Sequence, residues 1–166
     1  MKVIFLDIDG VLNNDHTKER FEGYVFVSDD KILLLKEIVD KTKAKIVLSS
    51  TWRRGWYCKE HIEKPTSSHL QDIRLFDALV DKLKTFQIEL LDYTEEFGRR
   101  GDEIDLWLKQ WHGEPIESFV ILDDMSGADL QPHSRYLIQT EFWDGLMPNH
   151  VEKAIKILNE NCKDKD

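Results

Sequence analysis

The sequence is poor in cysteine, in basic residues and in long hydrophobic runs. Its two cysteines, Cys58 and Cys162, are too few for a disulfide framework, and without a secretory signal they indicate reduced thiols and a cytoplasmic protein. The first apolar run contains two aspartates and is too short for a signal sequence or a membrane span. We therefore expect no membrane partner, and we take a monomer as the default state.

Basic side chains are outnumbered: 23 lysines and arginines stand against 32 aspartates and glutamates, which gives a net charge of −9. This balance argues against a surface that coats nucleic acid, although it is compatible with a local basic pocket. Of the 166 residues, 41% are hydrophobic and five are tryptophan, which is typical of one globular domain with a proper core. We expect this domain to span residues 1–160, followed by a charged tail at 161–166.

Short apolar runs alternate with amphipathic segments along the chain. The runs at 2–6, 45–49, 88–91, 119–122 and 136–138 predict strands, and residues 59–68 predict a loop. This alternation favours an α/β, Rossmann-like three-layer sandwich around a central, mostly parallel five-stranded sheet. Apolar residues at helical spacing predict helices over 29–42 (with Ser28 as N-cap), 70–83, 102–111 and 148–158.

Polar side chains follow three of the predicted strands at the point where each strand ends. They are Asp7 and Asp9 after the first strand, Ser49 and Ser50 after the second, and Asp123 and Asp124 after the fourth. Because parallel strands present their carboxyl ends at one edge of a sheet, these side chains should converge. Carboxylates that lie so near to one another raise the free energy of the folded state unless a cation lies between them or one of them is protonated. An oxygen-only ligand set suits Mg²⁺ rather than zinc, and Mg²⁺ in turn suits phosphate.

Such a group of residues can perform phosphoryl transfer. An aspartate can attack phosphorus and form an aspartyl-phosphate, while a metal screens the repulsion between the carboxylate and the phosphoryl oxygens. A second aspartate two residues later can protonate the leaving oxygen and then activate water. A serine hydroxyl and an arginine can hold the remaining phosphoryl oxygens.

The same residues resemble the motifs of the haloacid dehalogenase (HAD) superfamily of phosphohydrolases. DIDGV at 7–11 is similar to the first motif, IVLSS at 46–50 to the second and ILDD at 121–124 to the fourth. The third motif usually has lysine, and here Arg99 and Arg100 both remain candidates for it. The resemblance implies Asp7 as nucleophile, Asp9 as general acid/base, Ser49 as a phosphate ligand, and Asp124, assisted by Asp123 or Asp129, as the carboxylate that holds Mg²⁺. Beside these we predict Ser50, Arg53, Arg99 and Arg100 as phosphate ligands, and Asp7 and Asp9 as further Mg²⁺ ligands.

Three longer segments are similar to the small HAD domains that accompany RNA-repair enzymes. They are LSSTWR at 48–53, RGDEIDLWL at 100–108 and the stretch 137–158, and more distantly they resemble the phosphatase half of polynucleotide kinase-phosphatase. The gap after the first motif contains only a flap at 13–27, and the gap after the second is accounted for by one helix and one strand. We therefore expect no large cap domain. Capless relatives tend to act on macromolecular ends, because an open site admits a large substrate.

An aromatic and basic cluster, TWRRGWYC at 51–58, follows the second motif. Arg53 and Arg54 with Trp52, Trp56 and Tyr57 allow two interpretations: a stacking platform with a phosphate clamp, or tryptophans that fill the core beside solvated arginines. The prediction for the whole chain is a Mg²⁺-dependent phosphatase of nucleic-acid or nucleotide ends. Two alternatives remain: a phosphatase of small metabolites or phosphoproteins, and a non-catalytic module that binds phosphorylated ends.

Overall fold

The computed structural model describes residues 1–160 and contains one five-stranded sheet. Its strands are β1 (Lys2–Leu6), β4 (Lys45–Leu48), β5 (Leu90–Tyr93), β6 (Ser118–Asp123) and β7 (Leu137–Gln139). The spatial order is β5-β4-β1-β6-β7, and every neighbouring pair is parallel. The α/β, Rossmann-like prediction is confirmed, while the charged tail predicted at 161–166 lies outside the described residues.

A hairpin and five α-helices complete the described fold. The hairpin lies within the predicted flap and consists of β2 (Arg20–Phe21) and β3 (Tyr24–Val25), which pair antiparallel. The helices are α1 (Asp29–Thr42), α2 (Arg53–His61), α3 (Ser67–Thr85), α4 (Arg100–Gln110) and α5 (Pro148–Asn159). None of these helices is long and apolar enough to cross a membrane.

The central strand β1 has apolar side chains on both faces, which is why it appears in the sequence as an unbroken hydrophobic run. Val3 and Phe5 pack on one face with residues of α4, including Trp107. Ile4 and Leu6 pack on the other face with residues of α1, α3 and α5. Two helical layers thus enclose the sheet, and the residue that follows β1 emerges at the sheet's carboxyl edge.

The segment after β4 is helical, where we expected an irregular cluster followed by a loop over 59–68. Helix α2 carries Gly55 in its interior and has no side-chain N-cap, and both features weaken a helix signal in the sequence. A Cβ added at Gly55 would lie 2.2 Å from the carbonyl oxygen of Asp72 in α3. Glycine is therefore required because α2 and α3 approach so closely.

The gap between the second and third motifs contains two helices and a strand rather than one helix and a strand. Both helices pack against each other beside the sheet, and within residues 1–160 no cap domain is present.

Strand β5 begins two residues later than predicted, at Leu90 instead of Ile88. The backbone N–H of Ile88 donates to the carbonyl oxygen of Leu83 in α3, and Gln87 has a φ of +59°. Ile88 is buried but belongs to the turn that ends the helix, so its apolar side chain alone did not mark the start of the strand.

Candidate active site

Three carboxylates meet at the carboxyl edge of the sheet. Asp7, Asp123 and Asp124 each offer an oxygen, and these oxygens lie within 4.8 Å of one another. The pairing of β1 with β6 brings them together, because the N–H of Asp7 continues the ladder by donating to the carbonyl oxygen of Leu122 over 2.9 Å. Asp7 and Asp123 are buried, and Asp124 is half-buried. The structure thus joins the ends of the first and fourth predicted strands.

The three carboxylates carry more negative charge than the neighbouring cations neutralise. Burial, helped by the charge of Asp123, raises the pKa of Asp7 to about 7. Burial also raises the pKa of both Asp123 and Asp124, while the Arg100 guanidinium opposes the rise at all three carboxyls. A hard divalent cation would relieve this repulsion, and oxygen donors alone are the set that Mg²⁺ prefers. The residues therefore fit a magnesium ion.

Arg100 is the arginine that reaches the carboxylates. Its Nη1 donates to Oδ2 of Asp123 over 2.7 Å and lies 3.6 Å from Oδ1 of Asp7. Its side chain is 11% exposed, whereas that of Arg99 is 68% exposed and pairs with Asp102. Of the two candidates for the third motif, the structure brings Arg100 to the site and leaves Arg99 outside it.

The carboxylate of Asp9 does not belong to the three-carboxylate group. Its Oδ1 accepts from Nδ2 of Asn13 over 2.9 Å, and its Oδ2 accepts from Nε1 of Trp52 over 3.0 Å. The prediction that its side chain binds the metal is therefore not supported by its position. Two fixed donors and an exposed carboxylate instead match a group that exchanges protons with a substrate and with water.

Gly10 makes room for Asp124. Its φ of +79° is unfavourable for other residues, and a Cβ added there would lie 2.4 Å from Oδ2 of Asp124. The carbonyl oxygen of Gly10 accepts from Oγ1 of Thr140 over 2.6 Å. Glycine is thus needed at position 10 for two reasons: the backbone has a positive φ there, and a larger side chain would displace the carboxylate of Asp124.

Ser49 and Ser50 follow β4 but differ in their contacts. Ser50 Oγ accepts from the backbone N–H of Trp52 over 3.3 Å. Ser49 is fully buried, and its hydroxyl has no hydrogen-bond partner. Since a buried hydroxyl without a partner costs free energy, the Ser49 hydroxyl is a hydrogen-bonding group that the described residues leave unused.

Arg53 is buried and paired inside the protein. Its Nη2 donates to Oε2 of Glu103 over 2.8 Å, and its Nη1 donates to Oγ1 of Thr94 over 2.9 Å and to the carbonyl oxygen of Ser49. Its Nε has no hydrogen-bond partner within residues 1–160, but only 3% of the side chain is exposed, so the guanidinium is held inside the protein. The structure corrects the prediction that Arg53 binds phosphate: it links the second-motif segment to α4.

The tryptophans of the 51–58 cluster pack rather than form an open platform. Trp52 stacks on Phe26 with ring centroids 5.9 Å apart, and Trp56 stacks on Phe76 at 5.3 Å. Arg54 pairs with Glu96 at the surface. Of the two interpretations of this cluster, the structure supports the packing one.

Two acidic residues near the site have other contacts than the sequence suggested. Asp129 lies outside the three-carboxylate group, and its Oδ2 accepts from Oγ of Ser126 over 2.7 Å. Glu103 lies in the first turn of α4, where the sequence alone gives it no distinct role. In the structure it is buried, and besides Arg53 it accepts from the backbone N–H groups of Phe97 and Gly98. No sequence signal separates such a buried glutamate from a solvated one.

A cleft of about 1040 Å³ lies beside the site, between α2, β5 and α4. None of Asp7, Asp123 and Asp124 lines it, and its lining mixes acidic side chains with Arg53 and Arg54. The cleft is therefore separate from the three-carboxylate group.

The family described as "HAD domain in Swiss Army Knife RNA repair proteins" matches residues 3–151. This range runs from β1 into α5 and includes the three-carboxylate group, Asp9, Ser49 and Arg100. No curated protein and no solved structure matches the chain. The chain therefore belongs to the HAD superfamily, in the family of HAD domains of Swiss Army Knife RNA repair proteins, which indicates a phosphatase-type hydrolase.

Proposed function

We propose that the protein is a Mg²⁺-dependent phosphomonoester hydrolase that acts through Asp7 on phosphorylated nucleic-acid or nucleotide ends. The observation that carries this proposal is the group of three carboxylates beside Arg100 at the carboxyl ends of β1 and β6. Three carboxylates this close destabilise a fold unless cations balance them, and Arg100 supplies only one positive charge.

Asp7, Asp124 and Asp123 would hold the metal, and Arg100 already offsets part of their charge. When bound, Mg²⁺ supplies electrostatic screening between the attacking carboxylate and the phosphoryl oxygens. Arg100 and the unpartnered hydroxyl of Ser49 would donate hydrogen bonds to phosphoryl oxygens, where negative charge must be stabilised.

In the first step a carboxylate oxygen of Asp7 forms a bond to phosphorus, and the ester P–O bond breaks. The leaving oxygen takes the proton of the Asp9 carboxyl and departs as an alcohol. In the second step Asp9 removes a proton from water, whose oxygen bonds to phosphorus. The aspartyl-phosphate P–O bond then breaks, which releases inorganic phosphate and restores the Asp7 carboxylate. Trp52 and Asn13 hold Asp9 for both proton transfers.

Two observations support a macromolecular end as substrate. Within residues 1–160 no cap domain is present to enclose a small molecule, and the family that matches the chain is described by RNA repair. The net charge of −9 favours instead a small metabolite or a phosphoprotein. A module that binds phosphorylated ends without turnover is a further alternative, but it would need no acid/base at Asp9.

The test is phosphate release from an aryl phosphate and from 3′- and 5′-phosphorylated RNA and DNA oligonucleotides, with Mg²⁺ or with EDTA. We expect release from one type of oligonucleotide end, dependent on Mg²⁺ and abolished in Asp7→Asn. Asp129→Asn is the matched control, because Asp129 lies outside the carboxylate group, and it should keep activity. Release from the aryl phosphate alone would overturn the proposed substrate, and release that survives Asp7→Asn would overturn the proposed mechanism.

A further inference from the structure

Phe142 and Trp143 are adjacent aromatic residues that the fold leaves in solvent. They are 45% and 63% exposed, and their ring centroids lie 6.0 Å apart with the planes at 83°. In the part of the chain that the structure describes, Trp143 is the tryptophan with an exposed side chain. Contiguous apolar patches exposed on a folded domain mark interaction sites, whereas single exposed apolar residues are ordinary.

The turn that carries these rings, residues 140–146, is fastened to the segment that follows Asp9. Oγ1 of Thr140 donates to the carbonyl oxygen of Gly10 over 2.6 Å, and the N–H of Leu146 donates to the carbonyl oxygen of Val11 over 2.9 Å. Within the turn, Glu141 and Gly145 pair as an antiparallel bridge. Both ends of the turn are therefore held against the catalytic segment.

Further bonds fix the turn in place. Nδ2 of Asn14 donates to the carbonyl oxygen of Asp144 over 3.0 Å. The buried amine of Lys31 donates to the carbonyl oxygen of Leu146 over 2.8 Å. The aromatic pair thus projects from a braced turn, as a rigid binding surface requires.

The aromatic pair is tied by its anchors to the segment that follows Asp9. Trp143 is three residues from each anchor, Thr140 and Leu146, and a chain spans at most about 3.6 Å per residue, so its Cα lies within about 11 Å of both. Thr140 in turn bonds to Gly10, the residue after Asp9. The pair therefore belongs to the surface that adjoins the segment carrying Asp9, and this is where the proposal places the base at the end of the substrate.

The charge around the turn favours contact with bases over contact with backbone phosphates. Glu141 and Asp144 flank the aromatic pair and are exposed, and the chain as a whole carries a charge of −9. Backbone phosphates are repelled by such a surface, whereas an aromatic face stacks on any base without needing a positive charge. Carboxylates can also accept hydrogen bonds from the exocyclic amino groups of bases.

We propose that Phe142 and Trp143 form a stacking site for a nucleobase at the phosphorylated end of the substrate. This inference rests on the proposed function and deepens it. The site recognises a base, so the preferred substrate is a nucleic-acid end rather than a phosphate on a sugar or a protein.

Fluorescence quenching in Asp7→Asn tests binding without turnover. Oligonucleotides phosphorylated at the 3′ or 5′ end should quench the exposed Trp143, and an otherwise identical oligonucleotide with an abasic terminal residue should quench it less. Trp143→Phe in the same background should lose the quenching. Absence of quenching with every oligonucleotide, or equal quenching by the abasic one, would overturn the stacking site.

Hydrolysis separates this inference from the function on which it rests. In Trp143→Ala, the ratio of kcat/KM for the phosphorylated oligonucleotide to kcat/KM for an aryl phosphate should fall about tenfold or more, the weakening expected for one lost base stack. Tyr57→Ala, an exposed aromatic residue on α2, is the matched control and should leave the ratio unchanged. If the wild type hydrolyses the oligonucleotide and Trp143→Ala leaves the ratio unchanged, the stacking site is overturned while the proposed function stands. A wild type that hydrolyses no oligonucleotide would overturn the proposed substrate class, and the quenching result would then decide the stacking site separately.

Discussion

The indole N–H of Trp52 donates a hydrogen bond to the carboxylate of Asp9 over 3.0 Å. Trp52, two residues after the second-motif serines, thus holds the carboxylate of Asp9, 43 positions earlier in the chain. Trp52 is buried and stacks on Phe26 of the flap, so its ring is fixed independently of any substrate. In the proposed mechanism, a residue just after the second motif therefore positions the group that transfers protons.

Replacing Trp52 by phenylalanine should lower kcat while KM changes little. The ring still fills its place, but Asp9 loses one of its two donors and with it a fixed orientation for proton transfer. Since positioned proton transfer contributes about 10²- to 10⁴-fold, a loss of about tenfold is expected for partial misorientation. Trp56→Phe is the matched control, because its Nε1 bonds to Glu60 at the surface. Equal losses in both variants would contradict the role assigned to Trp52.

Gly10→Ala should damage the metal site as well as the fold. Gly10 and Gly23 have similar φ values, +79° and +85°, so alanine at either position should cost about 1 kcal/mol or more of backbone strain. A Cβ at Gly10 also collides with Asp124, whereas nothing lies within 4 Å of a Cβ at Gly23. Calorimetric titration with Mg²⁺ should show weakened binding in Gly10→Ala and unchanged binding in Gly23→Ala. Equal affinities in the two variants would contradict the placement of Asp124 in the metal site.

Glu103→Gln should strongly destabilise the protein. The substitution leaves the buried Arg53 guanidinium without a balancing charge, a loss that typically costs about 3–5 kcal/mol. Glu96→Gln removes the partner of Arg54 in a solvent-exposed pair and should cost about 0–1 kcal/mol. Urea denaturation of both variants measures the difference in free energy of unfolding. Similar values for the two would show that the Arg53–Glu103 pair adds no more than a surface pair does.

The metal-free protein should lose stability as pH rises from about 4 to about 7. Burial raises the pKa of Asp7 from 3.8 to about 7. The folded state therefore holds a proton that the unfolded state has already released, and the free energy of unfolding falls with pH across that window. Asp7→Asn removes this contribution and should show a weaker dependence on pH.

Thermal unfolding in EDTA at a series of pH values measures this effect. Above pH 7, adding Mg²⁺ should raise the Tm of the wild type more than that of Asp7→Asn, because a ligand stabilises the state that binds it. Identical pH profiles for the two proteins would contradict the burial of an ionisable Asp7 in the site.

Much of the fold was predictable because its strands are buried on both faces. The runs that form β1, β4 and β6 are predicted to within a residue or two, and the carboxylates after β1 and β6 and the serines after β4 mark the edge where the site lies. Helix α2 was missed because its stability comes from close packing of Gly55 on α3, which the sequence does not display.

The site was less predictable than the fold because side-chain direction depends on tertiary contacts. Arg99 and Arg100 are neighbours in the sequence, and only the orientation of α4 against β6 decides that Arg100 meets Asp123. The sequence shows that Arg53 is charged, which predicts phosphate binding. It does not show that the buried Glu103 pairs with Arg53 inside the protein. The sequence places Asp9 beside Asp7 and so predicts it as a metal ligand, but its carboxylate accepts hydrogen bonds from Trp52 and Asn13 instead.

The central claim is that Asp7 carries the phosphoryl group during turnover. Asp9→Asn should form the aspartyl-phosphate from an aryl phosphate, whose leaving group needs little protonation, and should hydrolyse it slowly. Acid quenching, borohydride reduction and peptide mass spectrometry then identify the labelled residue. We predict homoserine at position 7 in the presence of Mg²⁺ and unmodified aspartate in its absence. A label at another residue, or phosphate release by the wild type with no label in Asp9→Asn, would contradict the account.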